Sequence, residues 1–70
     1  MDIKRLVKSA KKHGIFVLKQ GDTIDYMDVT TGKSLGIWQR WPFPRYIVKG
    51  VAHPGNPIDA LRHIILPNDL

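Results

Sequence analysis

A chain of 70 residues with a formal net charge of +5 and no cysteine reads as one small domain, residues 1–70, with a thin core, because a chain this short buries only roughly 60% of the surface its unfolded form exposes. Disulfides and thiolate zinc sites are excluded, and no apolar run approaches the roughly 18 residues that span a bilayer. The basic N-terminus lacks the continuous apolar stretch of a signal peptide, so a soluble, cytoplasmic protein with no membrane contact is expected.

The charge is uneven. Lys4, Arg5, Lys8, Lys11 and Lys12 stand against a single acid, Asp2, in the first thirteen residues, while the rest of the chain is nearly balanced. This opening segment predicts a helix, with Asp2 as N-cap and Gly14 ending it at positive φ. Ile3, Leu6, Val7 and Ala10 form one stripe at 100° per residue, and the cations take the opposite face. A face needed only for solubility usually mixes both signs. One carrying cations alone favours a polyanionic partner, RNA or DNA.

The β-branched and aromatic run at 15–19 predicts a strand, followed by a turn at 20–22. Residues 23–29 predict a second strand, 30–33 a hairpin connection with Gly32 at its left-handed position, and 34–41 a third strand. Pro42 and Pro44 interrupt pairing, since neither can donate a ladder hydrogen bond. Residues 45–52 then predict a fourth strand or an edge, and 53–57 a turn. Asn56 as N-cap with Pro57 at N1 starts a helix over 58–66, ended by Pro67. Ile58, Leu61, Ile64 and Ile65 point inward on it; Asp59, Arg62 and His63 point outward. The expected fold is α+β: a three- or four-stranded antiparallel sheet with an N-terminal and a C-terminal helix, in the order α-β-β-β-(β)-α.

The run KRLVKSAKKHGIFVLKQGDTIDY, together with VAHPGNPIDALRHII, resembles the HicA-like small RNA-cleaving toxins. The likeness covers residues 3–35 and 51–66, with 36–50 as an insertion. It implies a fold related to double-stranded-RNA-binding domains. It also exposes a departure. That family's catalytic histidine follows a Gly-Ser pair at the start of strand two, where this chain has Gly21, Asp22 and Thr23. Threonine does not titrate near neutrality and cannot replace a general base, so binding without cleavage is expected. The hairpin DYMDVTTGKSLGI, through Asp28, Thr31, Gly32, Lys33 and Gly36, is similar to the arm-binding domain of lambdoid phage integrases, which implies nucleic acid again.

No nucleophile elbow, phosphate-binding loop or dinucleotide fingerprint occurs, and no cofactor or metal is expected. Asp22, Asp25 and Asp28 read as turn and exposed-strand residues. His13 reads as a partly buried packing residue, and His63 as an ion-pair partner of Asp59 four residues earlier. His53, in the 53–57 turn, is the acid–base candidate.

The segment GIWQRWPFPRYIVKG holds Trp38, Trp41, Phe43 and Tyr46 among Arg40, Arg45 and Lys49. Alternation sends the two tryptophans to opposite faces; a polyproline-like stretch would align Trp38, Trp41 and Pro44 instead. With Leu35 and Ile37 on the core face, Trp38 is expected to be the more exposed indole. Bases stack on aromatic rings while Arg and Lys hold phosphates, yet Trp, Tyr and Arg also dominate protein–protein contacts. The leading expectation is therefore non-catalytic nucleic-acid binding through Lys4, Arg5, Lys8, Lys11, Lys12, Trp38, Arg40, Arg45 and Lys49. The alternative is a compact phage-type module or inhibitor that docks on a larger enzyme.

Overall fold

The computed structural model describes residues 3–66. Their order is α1 (Ile3–Lys12), β1 (Ile15–Gln20), β2 (Thr23–Asp28), β3 (Ser34–Gln39), β4 (Arg45–Val48), β5 (Val51–Pro54) and α2 (Pro57–Ile65). The strands form one antiparallel meander in sequence order. Both helices pack on the same face of it. The α+β class, the antiparallel sheet and the two terminal helices are as the sequence predicts. The expected caps at Asp2 and Pro67 lie outside the described residues.

Local chemistry sets the boundaries. Gly14, at φ 70°, stops α1, and its carbonyl accepts from the Val29 amide at 3.0 Å. The β2–β3 turn is organised by Asp28, whose carboxylate accepts from the Thr30 and Thr31 amides at 2.8 and 3.2 Å, a side-chain mimic of a backbone turn. Asn56 and Asp59 form a reciprocal capping box at the start of α2, with bonds of 2.9 and 3.0 Å. It satisfies amides that the first turn leaves without partners.

A fifth strand appears where the sequence suggests one continuous segment. Lys49 and Gly50 both take positive φ, 54° and 80°, as a two-residue hairpin turn requires. Glycine accepts that conformation freely; lysine does not advertise it. The pair divides 45–54 into β4 and β5, with Val48 opposite Val51 and Tyr46 opposite His53.

The core lies between the sheet and the helices. Ile15 and Val17 of β1, Ile24 and Tyr26 of β2, Trp38 of β3, and Tyr46 and Val48 of β4 meet Leu6 and Ala10 of α1 and Ala60 and Leu61 of α2. Tyr26 is fully enclosed, and its hydroxyl donates to the Pro57 carbonyl at 2.7 Å.

Here the expectation for Trp38 is corrected. It is buried, 8% exposed, and its Nε1–H donates to the Gly55 carbonyl at 3.0 Å. Two local features invert the parity argument. The register shifts between Tyr26 and Met27, which face Gly36 and Ser34 respectively, so Leu35 sits in a bulge and reaches the core out of alternation. Gly36 occupies the core-facing position next to Trp38 because α2 closes over it. A Cβ there would lie 3.0 Å from Val48 Cγ2, 3.1 Å from the Ile47 carbonyl and 3.3 Å from Ile64 Cδ1. The core face of β3 thus carries glycine and tryptophan, while Ile37 faces away.

Candidate nucleic-acid interface

Three surface features carry the chemistry. The first is α1. Its buried side is Leu6 and Ala10, its first turn contains no acid, and Lys4, Arg5, Lys8, Lys11 and Lys12 are all exposed. Val7, expected on the apolar stripe, is also largely exposed.

The second feature is the connection between β3 and β4. Trp41 and Phe43 are 69% and 54% exposed. The Arg45 guanidinium lies 5.4 Å from the centroid of the Phe43 ring, and Arg45 Nη1 donates to the Trp41 carbonyl at 2.9 Å. The Gly55 amide donates to the Pro44 carbonyl at 3.3 Å, which ties the loop to the end of β5. Arg40 is held from the other side. Its amide donates to the Asp22 carbonyl at 3.0 Å, and its Nε lies 3.5 Å from Asp22 Oδ1. That ion pair is solvent-exposed, so it costs little to exchange for another anion.

A groove of about 350 Å³ lies between the start of α1 and the Arg40–Pro44 segment. Ile24 and Trp38 floor it; Ile3 of α1, Lys19, Arg40 and Pro44 stand around it, with Asn56 and Pro57 at the start of α2. Lys4 and Arg5 follow directly on Ile3, so the N-terminal half of the cationic face reaches the same end of the molecule as the aromatic loop. The groove has the volume for a small planar group. Lys19, which the sequence did not single out, belongs here because its position at the end of β1 brings it beside Ile24.

The structure does not gather every expected residue. Lys49 sits at the opposite end of β4, where it lines a separate hollow of about 280 Å³ with Leu35, Val48, His63 and Ile64. Lys11 and Lys12 also lie away from the groove, since α1 ends beside the start of β1. Trp38 contributes to the groove as its floor and not as a projecting ring.

The third feature is a cluster of rings on α2, β4 and β5. Tyr46 stacks on His53 with centroids 5.2 Å apart, His63 meets Tyr46 edge-on at 5.6 Å, and the two imidazoles are 4.6 Å apart. The Tyr46 hydroxyl lies 3.3 Å from His63 Nδ1. The acid–base candidate His53 is therefore half-buried beside a second histidine, on a strand and not in a free turn. His63 points into this cluster and not outward. The expected pairing with Asp59 gives way to the helix cap, where that carboxylate accepts from the Asn56 amide. His13 is exposed, with Nδ1 3.2 Å from the Ser9 carbonyl, and is not a packing residue.

Among the described residues no three His, Asp or Glu side chains converge as a metal site would require, and no helix is long and apolar enough to cross a membrane. No protein family, curated protein or solved structure matches the chain.

Proposed function

We propose that this protein binds single-stranded RNA or DNA without cutting it. The observation that carries the reading is the groove between Ile3 of α1 and the Arg40–Pro44 segment, which is lined by the cations Lys19 and Arg40 and adjoined by the loop that exposes Trp41 and Phe43. Trp41 and Phe43 are placed for bases to stack on them, at roughly 1–3 kcal/mol per base. Lys19 and Arg40 line the groove, Lys4 and Arg5 follow Ile3 at its edge, and all four are suited to phosphates. Arg45 serves differently. By lying over Phe43 and holding the Trp41 carbonyl it fixes the loop, so little conformational entropy is lost when a base docks.

The test is a titration of the protein into a fluorescent single-stranded oligonucleotide at several salt concentrations. Binding should weaken linearly in log–log form as salt rises. Changing Lys4, Arg5 and Lys8 together to Gln should flatten that slope by about 0.7 for each phosphate that α1 no longer neutralises, while leaving the far-UV spectrum unchanged. The bound strand should stay intact after prolonged incubation. A slope that does not move in the triple variant removes α1 from the interface, and cleavage abolished by His53→Ala replaces the binding reading with a catalytic one.

A further inference from the structure

The groove beside Arg40 selects what enters it by the hydrogen-bonding groups it leaves free. Its polar side chains are Lys19, Arg40 and Asn56, set around the apolar surface of Ile24, Trp38 and Pro57. Lysine and arginine have hydrogens to give and no acceptor to offer. Lys19 spends one hydrogen on the Gly21 carbonyl at 3.1 Å. Arg40 turns Nε towards Asp22 at 3.5 Å, which keeps the Nη end of its fork for another acceptor. Asp22 itself is outside the lining.

An asparagine amide can donate or accept, but here the helix cap decides its orientation. Asn56 Oδ1 accepts from the Asp59 amide at 2.9 Å, a bond that only the oxygen can make. Nδ2, with two hydrogens, is the end that remains. The carbonyls beside it are engaged as well. That of Gly55 accepts from Trp38 Nε1 at 3.0 Å, that of Asn56 from the Ala60 amide at 3.2 Å, and that of Pro57 from the Tyr26 hydroxyl at 2.7 Å. Among the described residues, the side chains lining the groove therefore present donors and no free acceptor.

We infer that the groove holds a base that turns a carbonyl to Asn56 and Arg40, namely guanine, uracil or thymine, and discriminates against adenine and cytosine. The inference rests on the nucleic-acid reading and adds a base preference to it. Guanine shows O6 and N7 along one edge, both acceptors, and uracil and thymine show O4; adenine and cytosine carry an amino group at the corresponding position. In the groove that amino group meets further N–H groups, and it gives up water without gaining a partner. Asn56 thus serves twice, as the cap of α2 and as the residue that sets base preference.

Fluorescence anisotropy at one salt concentration, with four labelled homopolymers of equal length, tests the inference. Deoxyuridine is compared with deoxycytidine, and deoxyinosine, which has the O6 and N7 of guanine, with deoxyadenosine. Within each pair the bases differ chiefly by a carbonyl exchanged for an amino group. All four should bind, the carbonyl member of each pair about 5-fold or more tightly, the lower end of what an unmatched polar group costs. Asn56→Asp keeps a side-chain oxygen for the cap, so the fold is retained, and places an acceptor where the Nδ2 donor stood. Its added negative charge should weaken all four complexes, while the preference for uridine over cytidine should fall to about one or below, because a carboxylate accepts from the cytosine amino group. Equal affinities within either pair in the wild type overturn the inference and leave the binding reading in place. So does an Asn56→Asp variant that keeps the wild-type preference. Failure of all four strands to bind removes the nucleic-acid reading and this inference with it.

Discussion

Replacing Trp38 and Trp41 separately by alanine distinguishes core from contact surface within three residues of sequence. Trp38 is enclosed between Ile24 and Tyr46, its neighbours across the sheet, and it spends its indole N–H on the Gly55 carbonyl. Truncating a buried tryptophan costs about 3–5 kcal/mol. A domain of this length has about 4–10 kcal/mol to lose, so Trp38→Ala stands near the limit of folding. Trp38→Phe keeps most of the apolar volume and forfeits the hydrogen bond, for about 1–2 kcal/mol. Trp41→Ala removes a ring that is mostly in water and should shift stability by no more than about 0.5 kcal/mol. It should weaken oligonucleotide binding by about 5- to 150-fold, the equivalent of one missing stacking partner. Urea unfolding followed by circular dichroism gives the first set of numbers, and fluorescence anisotropy the second. A cost under about 1 kcal/mol for Trp38→Ala would refute the core assignment. A destabilisation at Trp41 as large as that expected at Trp38 would refute the exposed loop.

Two further outcomes follow from the interior. Burial pushes the Tyr26 hydroxyl well above its ordinary value, so the unfolded chain releases that proton first, near pH 10. Stability is therefore unaffected by Tyr26 below about pH 10 and falls as pH rises beyond it. In Tyr26→Phe, urea midpoints measured from pH 8 to about 11 should lose this alkaline decline relative to wild type, after an initial cost of about 1 kcal/mol for the bond to Pro57. Gly36→Ala places a methyl group against Val48, Ile64 and the Ile47 carbonyl. It should destabilise by about 1–3 kcal/mol, as overpacking does, and an unchanged midpoint would show that α2 can retreat from β3.

What the sequence made legible was punctuation. Gly14, Gly21 and Gly32 each take positive φ where a turn was expected, and Asn56-Pro57 starts α2 as expected. These signals are local: a residue's own conformational range decides the outcome within a few positions. The misread features depend on what lies across space. Alternation assigned Ile37 to the core because it is large and apolar, whereas the core face of β3 needed a glycine for α2 to approach. The turn at Lys49-Gly50 escaped because one of its positive-φ residues is not glycine. His53 and His63 come together through the β4–β5 register and the crossing of α2, neither of which their ten-residue separation encodes. Phe16 and Leu18, which β1 turns away from the helices, left one trace. Ile15, Phe16, Val17 and Leu18 are apolar at both parities, which is the pattern of a strand buried on two sides, in a domain with helices enough to cover one.

The division of labour between the two faces ties these readings together. On the proposed reading, a small basic domain that must both fold and hold a polyanion has conflicting needs, since apolar surface stabilises the fold and cationic surface opposes it by self-repulsion. Here the conflict is separated by layer. The cations ride on α1, whose inner side needs only Leu6 and Ala10 to hold it down. Two of the three aromatic rings that face solvent, Trp41 and Phe43, lie in the 41–43 loop at one end of the sheet; the third is Phe16 on β1. The other exposed apolar side chains, among them Phe16, Val29, Val51 and Leu66, are spread over several elements, and single exposed apolar residues of that kind cost a fold little.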